Sequence, residues 1–280
     1  MKRLTVIAGP TASGKSALAI EKALESGTEI VGADSRQVYR HMPVITAVPT
    51  MEERRGVRHH LIEVLEPEEY YSASRFEQDA LDCITDIFTR NDEAILCGGS
   101  MMYIDALCNG IDDLPTVPEH IRRETLEEYQ EKGAEWLLEE LRRIDPNYYD
   151  IVDRKNTKRV LHAVEITRTA GVPYTAMRTG LKKERPFVIE KHILLPEREV
   201  LFNRINRRVI HMLEHGALDE AKALYPKRHL NSLNTVGFKE LFAYLDGTMS
   251  LDQAVARMQK NTRVYAKKQI LWARKQLGLF

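Results

Sequence analysis

The stretch Gly9-Pro-Thr-Ala-Ser-Gly-Lys-Ser16 constrains this chain most, because it fits G-x-x-x-x-G-K-[ST] in the right surroundings. Leu4 to Ala8 is a short apolar run of strand character, and Ala17 to Leu24 has the composition of a helix. A strand that feeds a glycine-rich turn into a helix N-terminus gathers backbone N–H groups around one point, where they cradle phosphate oxygens. In this reading Gly9, Pro10, Thr11, Ala12, Ser13 and Gly14 form the loop, Lys15 adds a charge, and the Ser16 hydroxyl is placed to ligate Mg²⁺. The motif implies a phosphorylated ligand, and read alone it suggests ATP or GTP. By itself it does not select one.

The 280 residues allow one large domain or a core with an insertion. Lys+Arg and Asp+Glu each total 41, so global charge carries no information about partners and local charge must be read instead. Three cysteines without C-x-x-C spacing, Cys83, Cys97 and Cys108, suggest neither a zinc site nor a disulfide framework. The chain runs from Met1-Lys-Arg almost directly into a strand, so no secretory signal is expected and the expected compartment is the cytoplasm. No apolar run reaches the roughly 20 residues of a membrane span.

Residues 1–110 alternate strand and helix patterns. A second strand is expected over Thr28–Ala33, an amphipathic helix from Ser74 to about Arg90, and a third strand over Ala94–Cys97. Motifs at successive strand C-termini are the pattern of a parallel α/β sheet, whose ligands bind at those ends. Pro115 and Pro118 then mark a boundary. A helical stretch runs from Glu119 to about Arg143 with a break at Gly133, and another from Asn156 to Ala170. Phe187–Leu195 regains β character, and from Glu197 onward the pattern is helical. The expected fold is a P-loop NTPase-like parallel sheet flanked by helices, with residues 1–114 and 186–280 as its core and a helical insertion at 115–185.

Two further motifs fall at strand ends. Asp34-Ser-Arg-Gln-Val-Tyr39 follows the second strand, where Asp34 can take a proton from a substrate held over the phosphates or can simply cap the next helix. Gly98-Gly-Ser-Met-Met-Tyr103 follows the third, and its Ser100 hydroxyl is expected to face the same crevice. After Asp252 the chain holds no acidic residue, while Lys260, Arg263, Lys267 and Arg274 recur on one helical face. Leu251, Val255, Met258, Tyr265 and Trp272 are expected to pack inward from another face. A one-signed face in a neutral protein points to a polyanion such as nucleic acid. Lys155, Lys158 and Arg159 add a second basic patch.

The segments Gly9–Ser16, Asp34–Tyr39, His59–Ile62, Tyr71–Ala73, Gly98–Tyr103, Asn156–Arg159 with Glu165, Val236–Glu240 and Thr262–Trp272 occur in this order. Together they resemble the tRNA dimethylallyltransferases, also called tRNA isopentenyltransferases, over nearly the whole chain. The short stretch after Trp272, without the zinc finger of eukaryotic relatives, resembles the bacterial form.

The resemblance implies a P-loop that holds the diphosphate of dimethylallyl diphosphate with Mg²⁺. It also implies a monomer that transfers the prenyl group to N6 of tRNA adenosine 37, next to the anticodon. Catalytic roles would fall to Asp34, Ser100 (usually Thr in the family) and Lys15. Contacts to tRNA would involve Asp34, Ser35, Arg36, Gln37, Lys158, Arg159, Val160, Leu161, His162, Lys260, Arg263 and Lys267. Two departures stand out. Ile45-Thr-Ala-Val-Pro49 replaces Gly-Thr-Ala-Lys-Pro, removing a positive charge at Val48, and His162 replaces a usual Arg. Other readings of the same residues are a P-loop kinase for a small metabolite, a nucleotide-dependent RNA-binding switch, and prenylation of free adenine nucleotides.

Overall fold

A computed structural model describes residues 1–279. β1 (Arg3–Ala8) buries Leu4, Val6, Ile7 and Ala8 completely, as a strand covered on both faces must. It feeds the phosphate loop and α1 (Lys15–Ser26). β2 (Ile30–Ala33) starts later than the sequence suggests, because Thr28 donates its hydroxyl to the Glu93 carbonyl at 2.5 Å instead of joining the ladder. Two single-turn helices, α2 (Pro43–Thr46) and α3 (Met51–Arg54), lead to β3 (His59–His60). This two-residue strand has no apolar run to announce it. α4 (Ala73–Phe88) is capped by Ser72 Oγ accepting from Arg75 N–H, and precedes β4 (Glu93–Gly98) and α5 (Met101–Asn109).

The sheet order is β3-β2-β4-β1-β5, where β5 is Val188–Ile193, and every pairing is parallel. Ala8 and Ala33 both pair with Gly98, and Ala8 also pairs with Ile193. Four strands therefore end at one level, and the loops after β1, β2 and β4 leave the sheet side by side. The expected parallel α/β class is what the chain adopts, and Phe187–Leu195 does rejoin the sheet as β5. Beyond it lie α10 (Arg198–Glu214), α11 (Ala217–Leu224), α12 (Phe238–Leu245) and α13 (Leu251–Gln276). Between α5 and β5 lie α6 (Glu119–Ile144), α7 (Pro146–Ile151), α8 (Thr157–Ala170) and α9 (Tyr174–Met177).

The chain divides into two compact units, Met1–Cys108 with Glu184 onward, and Asn109–Lys183. The second is wholly helical, and Gly133 breaks α6 with φ 82° and ψ −175°. Its own core packs Leu137, Leu141, Tyr148, Val160, Ala163 and Val164. Asp145 is fully buried there, with Oδ1 accepting from Tyr148 N–H and Thr175 Oγ1, and Oδ2 from Thr175 N–H. Among the described residues no helix is long and apolar enough to cross a membrane.

Where the chain re-enters the first unit, Arg185 is sunk against α4 and α5. Its Nη2 meets Glu77 Oε1 at 2.5 Å and donates to the Ala106 carbonyl, while Nε donates to the Leu107 carbonyl at 2.7 Å. Both partners of the ion pair are under a tenth exposed. Arg185→Ala removes the guanidinium from a buried ion pair together with its bonds to two carbonyls, so chemical denaturation should show a loss of about 3–5 kcal/mol. Glu77→Ala in the same chain should restore part of it.

Candidate active site

A cavity of about 650 Å³ opens at the C-terminal edge of the sheet and takes in residues from all three strand-end loops. The phosphate loop supplies Thr11, Lys15 and Ser16, the loop after β2 supplies Asp34 to Gln37, and the loop after β4 supplies Gly98 and Gly99. Two glycines are needed for this approach. Gly9 has φ 153°, and a Cβ there would lie 2.4 Å from the Leu194 carbonyl oxygen. A Cβ at Gly99 would lie 2.6 Å from Gln269 Nε2.

Lys15 Nζ donates to the Pro10 carbonyl at 2.8 Å. Burial, opposed by the nearby Asp34 carboxylate and reinforced by the Arg208 guanidinium, lowers its pKa to about 8. Arg208, from α10, donates from Nη1 to Thr11 Oγ1 at 3.2 Å, and burial pushes its pKa down as well. Two desolvated cations beside one phosphate loop make a site that gains from an anion. Ser16 is exposed at the start of α1. Ser13 Oγ is buried and is the single such side-chain atom without a hydrogen-bond partner among the described residues.

Asp34 combines the two readings its sequence position left open. Its Oδ1 accepts from Arg36 N–H at 2.8 Å and Gln37 N–H at 3.3 Å, which caps the turn, and the residue still lines the cavity. Ser100 departs from expectation. It is buried, it is absent from the cavity lining, and its Oγ accepts from Ser35 N–H at 2.8 Å, so it braces the Asp34 turn from behind. Gln37 donates from Nε2 to the carbonyls of Thr46 and Ala47, and Arg36 donates to those of Asn231 and Ser232. Glu220 accepts from Val44 N–H and Ile45 N–H, holding the loop that contains Val48.

α13 closes the cavity. Ala254, Met258, Ala266, Gln269 and Ala273 form its buried stripe. Tyr265, expected to pack inward, is 39% exposed and lines the cavity. Burial and the charge of Asp34 raise its pKa to about 12. Gln269 is the residue that sequence reasoning passed over. Its Oε1 accepts from Thr11 N–H at 2.9 Å and its Nε2 donates to the Gly99 carbonyl at 2.8 Å. A polar residue within an apolar helical stripe was the available signal, and Arg208, beside Val209 on the inner face of α10, carried the same one.

The basic residues of α13 divide. Lys260 and Lys267 are exposed, Lys267 with Nζ 5.9 Å from the Phe202 ring centre, while Arg263 donates to Asn206 Oδ1 on α10. In the helical unit, Lys158, Arg159 and His162 are exposed, and the His162 ring meets Tyr174 edge-on at 5.9 Å. Val160 corrects the sequence reading. Val160 is 1% exposed inside that unit's core and Leu161 packs against it, because both fall on the inner side of α8.

The sequence profile described as IPP transferase matches residues 37–276. The chain belongs to the IPP transferase family. It is 49% identical to tRNA dimethylallyltransferase 1 of Bacteroides thetaiotaomicron over 97% of this chain and 88% of that protein. It is also 49% identical to tRNA dimethylallyltransferase 1 of Phocaeicola vulgatus, over 96% and 90%. Among solved structures, it matches the full-length tRNA isopentenylpyrophosphate transferase of Bacillus halodurans with TM-score 0.69 and 35% identity, over 98% of this chain and 87% of that one. A eukaryotic dimethylallyltransferase acting on tRNA matches with TM-score 0.82 and 30% identity, over 97% and 70%. The profile match begins after Gly9–Ser16 and Asp34, so IPP transferase membership and the phosphate-loop geometry are separate observations.

Two outcomes follow for this IPP transferase site. Gln269→Leu removes one donor and one acceptor and orphans the buried Gly99 carbonyl, at about 1–3 kcal/mol; a denaturant midpoint below wild type is expected. Lys15 attracts an anion only while it is charged, and an anion bound beside it raises its pKa. Affinity for inorganic diphosphate, measured by titration calorimetry, should therefore lose the Lys15 contribution as pH rises through about 8.

Proposed function

We propose that the chain transfers a dimethylallyl group from dimethylallyl diphosphate to N6 of adenosine 37 in tRNAs reading codons that begin with U. The observation that carries this reading is a single cavity holding three things together. It contains a cationic phosphate cradle, a carboxylate at Asp34, and an apolar portion that includes Ala19, Ile30, Ile62 and Met212. A kinase site needs the first two. A five-carbon branched chain attached to a diphosphate needs all three.

In this mechanism the loop N–H groups, Lys15 and Arg208 bind the donor's diphosphate and stabilise the charge that builds on it as it leaves. The N6 lone pair attacks C1 of the donor, the C1–O bond breaks with its electron pair going to diphosphate, and the N6 proton passes to Asp34. The two backbone N–H bonds to Asp34 Oδ1 fix the carboxylate, and Oδ2 accepts no protein hydrogen bond among the described residues. Ser100 acts here through the turn that it braces.

The residues also fit Mg²⁺, which keeps most of its waters and needs only one or two protein oxygens beside substrate phosphates. The exposed Ser16 hydroxyl would hold it. Once bound, the ion neutralises diphosphate charge. The orphaned Ser13 hydroxyl is suited to donating to the same anion.

The acceptor adenine must leave the anticodon-loop stack, at a cost of a few kcal/mol. Tyr265, beside Asp34 at the cavity, offers a ring for the extruded base. Lys260 and Lys267 on α13, and Lys158 and Arg159 on the helical unit Asn109–Lys183, are assigned to the tRNA backbone. The protein acts as a monomer in the cytoplasm.

Mass spectrometry of tRNA incubated with the protein, dimethylallyl diphosphate and Mg²⁺ tests this reading. The expected product is tRNA heavier by one dimethylallyl group at a single adenosine, formed without ATP. Asp34→Asn should lower kcat by about 10²–10⁴-fold with tRNA affinity largely kept. A strict requirement for ATP hydrolysis without prenyl transfer would overturn the proposal.

A further inference from the structure

At its C-terminal turn, α10 gathers three metal-binding side chains. His211, Glu214 and His215 each offer one donor atom, and these atoms all lie within 4.8 Å of one another. The spacing i, i+3, i+4 puts them on one face of the helix end, and all three are exposed. The two imidazole rings approach to 3.8 Å between centres.

His215 Nδ1 lies 2.8 Å from the His211 carbonyl oxygen. A carbonyl only accepts, so Nδ1 carries the hydrogen, and in the neutral ring Nε2 is the nitrogen with the lone pair. Metal-bound imidazoles are oriented by this kind of bond from the other ring nitrogen. The carbonyl end of a long helix also favours a cation.

We propose that His211, Glu214 and His215 form a site for a transition-metal dication of the Zn²⁺ class, completed by solvent. Two imidazole nitrogens and one carboxylate oxygen suit Zn²⁺, Ni²⁺ or Cu²⁺. Mg²⁺ and Ca²⁺ prefer oxygen ligands, so the site is chemically distinct from the phosphate loop. With all three ligands on one turn, the ion ties down the end of α10, where the chain turns through Gly216 at φ 95° into α11. Val209 and Met212, on the same two turns, line the cavity. The ion therefore grips the helix that forms one wall of the site.

Isothermal titration of tag-free protein with ZnCl₂ and NiCl₂, in millimolar MgCl₂, tests the proposal without reference to prenyl transfer. One equivalent should bind, unaffected by Mg²⁺. His211→Ala and His215→Ala should each weaken binding by at least about tenfold, and Glu214→Gln by less. Zn²⁺ should raise the thermal midpoint of the wild type and leave that of the double histidine variant unchanged. Glutamine replacements, which preserve helix propensity, stand in for any alanine variant that melts early and must lose the ion equally. Binding no tighter than millimolar, or unchanged affinity in the double variant, would overturn the site.

Discussion

The amide of Gln269 holds the site together. Its two ends satisfy one N–H and one carbonyl on two different loops, Thr11 after β1 and Gly99 after β4. Few side chains can do this, because the task needs a donor and an acceptor fixed in one plane and long enough to reach both. The residue is 3% exposed, and its bond to the Gly99 carbonyl is buried away from water. Ala266 and Ala273, small and buried on either side, let α13 come close enough for the contact. The missing Cβ at Gly99 leaves the space the amide occupies.

That bridge matters because the strands end at one level. Parallel pairing that aligns Ala8, Ala33 and Gly98 makes three loops neighbours, and each contributes what the sheet edge cannot supply alone. The phosphate loop brings directed N–H groups, the loop after β2 brings a carboxylate, and the loop after β4 brings the backbone that Gln269 grips. Ser100 joins the last two by accepting from Ser35 N–H. Burial lowers the pKa of both Lys15 and Arg208, so the loop holds positive charge that water solvates poorly. An anion beside them relieves that cost.

Much of this was legible in the chain. The phosphate motif, Asp34 and the paired glycines each stood at the end of an apolar run, and parallel topology was enough to bring them together. β3 was not legible, since two histidines have no periodicity. Heptad spacing on α13 put Lys260, Lys267 and Arg263 on one face, yet Arg263 turns to Asn206 on α10 while the lysines stay exposed. The same spacing put Tyr265 inward. A helix that packs through alanines has a narrow buried stripe, and a ring on its margin falls at the cavity instead. Val160 lies in the core of the helical unit although its motif neighbours Lys158, Arg159 and His162 are exposed, because consecutive residues on a helix face different directions.

The sequence by itself determined the family, the parallel α/β class and the glycine-rich loop with a carboxylate near it, because these depend on local runs and on residues adjacent in the chain. Tertiary structure decided what closes around them. Gln269 and Arg208 lie about 260 and 200 residues from Thr11, the atoms they engage. Their roles follow from which helix face meets the sheet edge, and the packing of α10 and α13 fixes that.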